Sequence, residues 1–437
     1  MATFRRDGTS RFSPEARWGT FPSVSAGWFI SDESFMKSLT FLDQLKIRGS
    51  YGITGNNNIR SSFAYIPGIG TANYVLGNSL ANGTYVGFAD EGLEWESTRE
   101  LDLGLDMSVL NNRLSLTADY YKRITYNLLL DRPIPTITGF SSTLTNIGKV
   151  QNEGFELAVS SKNIEQANFH WQTSVNISVN RNKVLALSDN SAPIESGDPY
   201  QGSTITEVGQ PIGLFKGYVV EGVYRDEKEA EADHNHNPNA HAGTLIVKDV
   251  NNDGQITPDD RTIIGNPWPK FTYGITNRLQ YHDFDFSMLI NGTVGNKIII
   301  SAYETLRNMD GPFNVLEDVK NRWMSPEQPG NGIYPTTNYP DQRAYVRLAN
   351  STWIKDGTHL SIDNITLGYT LPSGILKRIQ YVNSARFYLS IQNAWVISKW
   401  PMNNPDASLQ DGTLNMGWQR DTYPLARMIT VGANLSF

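Results

Sequence analysis

The sequence predicts an all-β fold, an antiparallel transmembrane β-barrel, on three observations. Apolar and polar residues alternate with period two over stretches long enough to cross a bilayer, for which a tilted strand needs about 9–11 residues. The chain is polar on average, with a mean hydropathy of −0.38, yet 11% of its residues are aromatic, including 20 Tyr and 10 Trp. Short turns alternate with long polar connections, as between the two ends of a membrane barrel.

Glu100–Val109 shows the alternation. Leu101, Leu103, Leu105, Met107 and Val109 share one face; Glu100, Asp102, Gly104, Asp106 and Ser108 share the other. Asn111-Asn112 then predicts a tight turn, because Asn tolerates positive φ. The chain returns with Leu114, Leu116, Ala118 and Tyr120 against Arg113, Ser115, Thr117 and Asp119. The pattern recurs in Phe155–Ser160, Phe169–Asn180, Asp283–Ile290 and Phe387–Gln392. Between Leu360 and Leu371 the apolar phase slips by one near Asp363-Asn364, which predicts a β-bulge. Roughly a dozen strands result. They fall near residues 18–30, 43–54, 94–110, 113–130, 146–162, 168–186, 270–281, 282–296, 353–371, 383–396 and 426–437, with part of another at Met1. Polar connections occupy 55–92, 187–268, 297–352 and 397–425. A soluble β-sandwich also alternates, but its strands are usually shorter.

Composition narrows the function. With 0 Cys there is no disulfide framework and no thiolate metal site. A net charge of −7 and a pI of about 5.5, with no basic patch, argue against nucleic acid as a partner. No apolar run reaches the roughly 18 residues of a membrane-spanning helix.

Several segments carry a family resemblance. They are Phe4-Arg5-Arg6-Asp7-Gly8-Thr9-Ser10-Arg11-Phe12, Trp18-Gly19-Thr20-Phe21-Pro22-Ser23-Val24-Ser25-Ala26-Gly27-Trp28, and Leu45-Lys46-Ile47-Arg48-Gly49-Ser50-Tyr51-Gly52-Ile53-Thr54-Gly55-Asn56. Asn146-Ile147-Gly148-Lys149-Val150, Gly265-Asn266-Pro267 and Asp363-Asn364-Ile365-Thr366-Leu367-Gly368-Tyr369 follow in family order. Together they resemble the SusC/RagA family of TonB-dependent outer-membrane receptors. The resemblance implies a barrel of about 22 strands closed by a plug in its lumen. Residues 1–437 would supply roughly the C-terminal half, with long extracellular loops. Export signal, carboxypeptidase-like domain, TonB-box segment, plug and early strands are expected to precede it. The implied function is import of oligosaccharides or peptides without chemical change, so no enzyme is expected. The implied partners are a SusD-like surface lipoprotein, the TonB complex acting through the N-terminal region, and outer-membrane lipid. A passive or adhesive outer-membrane barrel and a siderophore receptor are the alternatives. A barrel enzyme would need a nucleophile–base pair, and the sequence holds neither Gly-x-Ser-x-Gly nor His-Glu-x-x-His.

One segment suggests a metal. Asp249-Val250-Asn251-Asn252-Asp253-Gly254-Gln255-Ile256-Thr257-Pro258-Asp259-Asp260 matches an EF-hand-like loop. Hard Ca²⁺ takes oxygen ligands at alternate positions, with Gly at the sixth for a sharp turn. The candidates are Asp249, Asn251, Asp253, the Gln255 carbonyl, Thr257 and Asp260; Asp stands where the closing Glu usually does. A turn held by its own Asx side chains fits the same residues equally well. His234, His236 and His241 could ligate a transition metal, although a solvated loop is the stronger reading; Arg225–Asp233 reads as a short helix beside them. Trp95, Trp268, Trp323, Trp353, Trp395, Trp400 and Trp418 offer flat faces for sugars, but an interfacial girdle or loop packing explains most of them. The alternating strand Met428–Phe437, ending on an aromatic, resembles an outer-membrane assembly signal, and an ordinary edge strand would look the same.

Overall fold

The computed structural model describes the chain except at 60–61, 88, 134–136, 138, 141, 188–190, 199, 201, 235–236, 310–311, 338–344, 346, 377–380, 403, 407–412 and 421. Two compact units divide it. One comprises Met1–Ala158, Asn180–Ile194 and Glu207–Gln210; the other comprises Val159–Val179, Glu195–Thr206 and Pro211–Phe437.

Long antiparallel strands build both units. The first holds β1 (Ala2–Gly8), β2 (Trp18–Phe29), β3 (Leu42–Asn56), β4 (Glu96–Val109), β5 (Leu114–Pro133) and most of β6 (Ser142–Gln166). The second holds most of β7 (Phe169–Ala186), then β8 (Phe271–Tyr281), β9 (Phe284–Val294), β10 (His359–Thr370), β11 (Ser384–Ser398) and β12 (Met428–Ser436). Hydrogen-bonded neighbours in the sheet follow chain order from β1 to β12. Each connection is therefore of the hairpin type that antiparallel pairing allows.

Register keeps like with like. Leu101, Leu103 and Leu105 on β4 stand opposite Tyr51, Gly49 and Ile47 on β3, and Leu103 and Leu105 stand opposite Tyr120 and Ala118 on β5. In the second unit Phe169 and Trp171 meet Tyr281 and Leu279, and Phe286 and Met288 meet Leu367 and Ile365. Leu389 and Ile391 meet Val431 and Ile429. This apolar face lies bare: Leu103 is 49% exposed, Trp171 37% and Val431 81%. Leu105, Phe169 and Val175 are half-buried. A β-sandwich would bury these residues beneath a second sheet. On the other face Asp102, Asp106 and His170 are half-buried and Gln172 is exposed.

Turn chemistry follows the sequence. Leu110, Asn111 and Asn112 all take φ near +60° (60°, 58° and 57°). The expected bulge is present: Leu289 pairs with Asn364 but Ile290 pairs with Ile362, leaving Asp363 as the extra residue.

Two expectations need correction. Residues 353–371 are not one strand. Ser351–Trp353 forms a 3-10 turn, Ile354–Asp356 joins a separate sheet with Lys297–Ile300 and Trp418–Gln419, and β10 begins at His359. The connections are also more structured than polar loops. Gly202–Thr206, Leu214–Gly217 and Thr262–Gly265 pair with one another. The apolar run Ile298-Ile299-Ile300 is buried with Phe215, Trp353, Trp400 and Trp418, as a strand covered on both faces requires. In the first unit Trp95 packs edge-on to Phe21 at 5.3 Å between ring centroids, beside Phe12 and Leu93.

The two faces predict opposite responses to charge. In the intact receptor, Leu103→Arg should destabilise the folded barrel by about 2–4 kcal/mol, the range for a midplane Arg. Thr117→Arg, on the polar face opposite Asp106, should be nearly neutral. Urea midpoints from heat-modifiability gels check this; equal shifts for both variants would contradict the assignment of faces.

Candidate functional site

The polar face is organised by ion pairs that skip a strand. Arg48 on β3, Gly104 on β4 and Asp119 on β5 lie in register. The Arg48 guanidinium reaches over Gly104 to Asp119, and also meets Asp102 at 3.3 Å and Asp106 at 3.2 Å. A Cβ on Gly104 would sit 2.6 Å from both Arg48 Nη1 and Asp119 Oδ1, so only glycine leaves the bridge its room. The second unit repeats the device. Asp285 on β9 stands opposite Gly368 on β10, and Arg386 on β11, paired with Thr370 two residues along, reaches diagonally over Gly368. Arg386 donates to Asp285 through Nε at 2.8 Å and Nη2 at 2.5 Å, and a Cβ on Gly368 would sit 2.7 Å from Arg386 Cζ. A planar guanidinium meeting both carboxylate oxygens is the strong form of such a pair. Alternation places Asp102, Asp106 and Asp119 on the polar faces of their strands but does not single out Arg48, Gly104 or Gly368. Their only signal is a Gly occupying the polar phase of a strand.

Each unit holds a polar cleft on this face. In the first, about 330 Å³ is enclosed by Thr54, Thr98, Glu100, Tyr121, Arg123, Thr125, Asn152 and Asn180. Tyr121 donates to Asn180 Oδ1 at 3.1 Å, Asn180 donates to Asn152 Oδ1 at 3.2 Å, and Arg123 pairs with Glu100 at 2.9 Å. In the second, about 450 Å³ lies over Asn176, Thr272, Asn291, Ser361 and Asp363, bordered by Asn404 and Asp406. The bulge delivers Asp363 to this cleft, where it accepts from Asn291 Nδ2 at 2.5 Å. Neutral hydrogen-bonding groups, beside the Arg123–Glu100 pair in one cleft and Asp363 and Asp406 in the other, can hold a hydroxyl-rich or amide-rich solute.

The Asp249–Asp260 loop folds around its own carboxylates. Asp249 accepts from the N–H groups of Asn252 at 2.7 Å and Gly254 at 2.9 Å. Asp260, fully buried, accepts from Val250 N at 2.8 Å and Thr257 N at 2.7 Å. Asn251 accepts from Asp253 N, and Asp253 from Gln255 N, both at 2.9 Å. The Thr257 hydroxyl accepts from Asp259 N at 3.2 Å. Gly254 takes φ +83°, the left-handed turn expected at the sixth position. Desolvation pushes the Asp249 carboxyl up, but the N–H groups of Gly254, Asn252 and Asp253 together outweigh it and hold it below the usual value. Among the described residues no set of three or more His, Asp or Glu side chains is gathered to hold a metal. As folded, this is a self-capped turn.

Of the remaining candidates the structure brings His234 and His241 together, their rings edge-on at 6.4 Å between centroids. The expected helix is Glu227–Ala232, capped by Asp226, which accepts from Glu229 N. His234 contacts the Ala240 carbonyl at 2.9 Å and His241 contacts Glu227 at 3.1 Å; His236 lies outside the described residues. Trp95, Trp353, Trp400 and Trp418 are buried. Trp268 donates to Ile212 O and Trp323 to Arg225 O. Trp395 is exposed, so most of these rings pack the connections.

A sheet with one bare apolar face and an opposite face of ion pairs and hydrogen bonds is the wall of a membrane β-barrel. Comparison with known proteins agrees. Residues 1–394 match the family described as "TonB dependent receptor-like, beta-barrel". TonB-dependent receptor P3 of Formosa agariphila is 34% identical over 448 residues, covering 100% of this chain and 43% of that protein. TonB-dependent receptor SusC of Bacteroides thetaiotaomicron is 31% identical over 458 residues, covering 100% and 42%. A solved structure described as the RagAB peptide transporter superposes with a TM-score of 0.81 at 22% identity, covering 100% of this chain and 45% of that chain. The chain belongs to the TonB-dependent receptor β-barrel family, with SusC among its relatives, and its place is the outer membrane. It spans less than half the length of the curated relatives it matches.

Two predictions come from this geometry. Gly104→Ala and Gly368→Ala should each destabilise the intact receptor by about 1–3 kcal/mol, the range for overpacking a tight contact, as read from urea midpoints. Midpoints unmoved by either change would show that the ion pairs do not need the gap. Asp260→Ala strips two backbone N–H groups of their acceptor and should cost about 1–3 kcal/mol of local stability. Amide exchange at Val250 and Thr257 should accelerate, while exchange in β4 stays unchanged.

Proposed function

We propose that residues 1–437 form the C-terminal part of the barrel of a nutrient-import receptor, whose whole chain carries oligosaccharides or peptides across the outer membrane unchanged. The observation that carries this reading is the polar face, where two clefts of Asn, Thr, Ser and Tyr side chains lie on a wall of the TonB-dependent receptor family. A surface lipoprotein of the SusD type would capture substrate, and the TonB complex would supply energy through the N-terminal region of the receptor. The relative named TonB-dependent receptor SusC supports the TonB-driven part of this reading.

Calcium at the Asp249–Asp260 loop is a second proposal, supported by the ligand spacing and the left-handed turn at Gly254. Asp249, Asn251, Asp253, the Gln255 carbonyl, Thr257 and Asp260 would hold the ion. The carboxylate oxygens would offer it the lone pairs not already given to backbone N–H groups.

Uptake of labelled oligosaccharide or peptide by cells carrying the intact receptor should fall to background when the TonB complex is deleted, while binding to the cell surface persists. Continued uptake would indicate a passive barrel, and rescue of growth only under iron limitation would indicate a siderophore receptor. For the loop, calorimetry of the intact receptor with millimolar Ca²⁺ should give a binding heat that Asp249→Asn with Asp253→Asn removes. No heat would leave the loop as a self-capped turn.

A further inference from the structure

The second unit holds a cationic cleft away from the strand faces. It encloses about 350 Å³ among Tyr303, Arg307, Asp318, Lys355, Lys399 and neighbouring apolar groups. Arg307 is the most constrained member. Its side chain is only 10% exposed, its Cζ stacks 3.4 Å from the centroid of Tyr303, and Tyr334 lies 4.9 Å away. One nitrogen, Nη2, donates to Asp318 at 2.8 Å. The other two, Nε and Nη1, are buried and find no acceptor among the described residues.

An unpaired buried N–H costs about 1–3 kcal/mol, and more on a charged group. Two on one guanidinium therefore need a partner. Among the described residues no side chain supplies it. Lys355 and Lys399 line the same cleft, and among the described residues neither ammonium group makes an ion pair or hydrogen bond. Glu317 is turned to Lys320 at 2.9 Å, and Asp318 is already shared by Arg307 and the Tyr334 hydroxyl. Burial, and next Arg307, hold the Lys355 ammonium below its ordinary value; a bound anion would offset the repulsion from Arg307. One acceptor is also idle: Asp318 Oδ1 is buried without a donor among the described residues.

The cleft thus offers orphaned donors for an oxyanion and, beside them, one orphaned acceptor for a hydroxyl. We propose that it binds the carboxylate or sulfate ester of an acidic oligosaccharide, with Arg307, Lys355 and Lys399 on the anion and Asp318 Oδ1 accepting from an adjacent sugar hydroxyl. A sugar acid carries hydroxyl donors a few bonds from its charge, and the idle Asp318 Oδ1 belongs to the carboxylate that already holds Arg307 Nη2. Leu316, Pro401 and Met402 line the remaining wall and suit the apolar C–H surface of a pyranose ring. The proposal rests on the import reading above and names its substrate class.

The test uses the intact receptor in detergent with four probes of similar length: a uronate oligosaccharide, a sulfated oligosaccharide, the neutral parent oligosaccharide and an Asp-rich peptide. At least one acidic oligosaccharide should bind tenfold or more tighter than the neutral one, by about the strength of one charge-assisted hydrogen bond. Which of the two binds identifies the anion. That preference should shrink with added salt. Lys355→Gln and Lys399→Gln should each reduce it severalfold without altering the urea midpoint, since neither amine bonds to any of the described residues; Arg307→Gln should abolish it. Equal affinity for neutral and acidic oligosaccharides, or a preference that survives both lysine changes, would overturn the proposal. Binding of the Asp-rich peptide alone, with the same lysine dependence, would overturn the sugar assignment. TonB-dependent uptake of the neutral oligosaccharide without acidic preference would sink this inference and leave the import reading standing. Failure of every probe to bind or enter would sink both.

Discussion

Strand-to-strand backbone hydrogen bonding is the constraint from which the rest of the structure follows. Hydrocarbon offers no water to an unpaired N–H or C=O, so a chain crossing it as sheet must bond every backbone group to a neighbouring strand. The order from β1 to β12 meets that demand with antiparallel neighbours joined along the chain. Once the ladder is fixed, side-chain chemistry is fixed with it. A slip of one residue would carry Leu103 to the polar face and Arg48 to the apolar one.

The polar face turns this ladder into a charged surface. On a sheet, side chains two strands apart are usually separated by the side chain between them. Gly104 and Gly368 remove that obstacle, and Arg48–Asp119 and Asp285–Arg386 close over the gap. Both pairs lie on half-buried ground, where ion pairs are worth more than the near-zero value of fully wetted ones. Each also ties three strands together, Arg48–Asp119 straight across and Asp285–Arg386 on a diagonal. The same face carries the clefts, so the groups that pin the wall and the groups available to a solute share one surface.

The connections are folded structures rather than slack chain. Phe215, Trp353 and the pair Trp400 and Trp418 come from three separate connecting stretches and meet Ile298–Ile300 in one core. Burying such large side chains stabilises by about 1.5–3 kcal/mol each, enough to hold a rigid platform. The cationic cleft stands on this platform: Tyr303, Leu316 and Met402 belong both to the core and to the cleft wall. Precise placement of Arg307 is therefore a product of loop packing, whereas the strand faces are products of alternation.

Local pattern explains what was legible in the sequence. The two faces of β4, the Asn111-Asn112 turn, the bulge at Asp363 and the short helix after Asp226 each depend on neighbours within a few residues, and each could be read directly. The left-handed turn at Gly254 is local in the same way. What tertiary structure decided lies between distant residues. Arg48 and Asp102 are separated by 54 residues, and Arg386 and Asp285 by 101; period-two alternation says which face each occupies but not which strand lies beside it. Whether a tryptophan stacks on solvent or packs a core, and whether an arginine keeps unpaired donors, depends on segments brought together only by folding. Sequence fixes faces because side-chain direction is set residue by residue along a strand. Partners are set by the whole ladder, and only the folded chain reveals them.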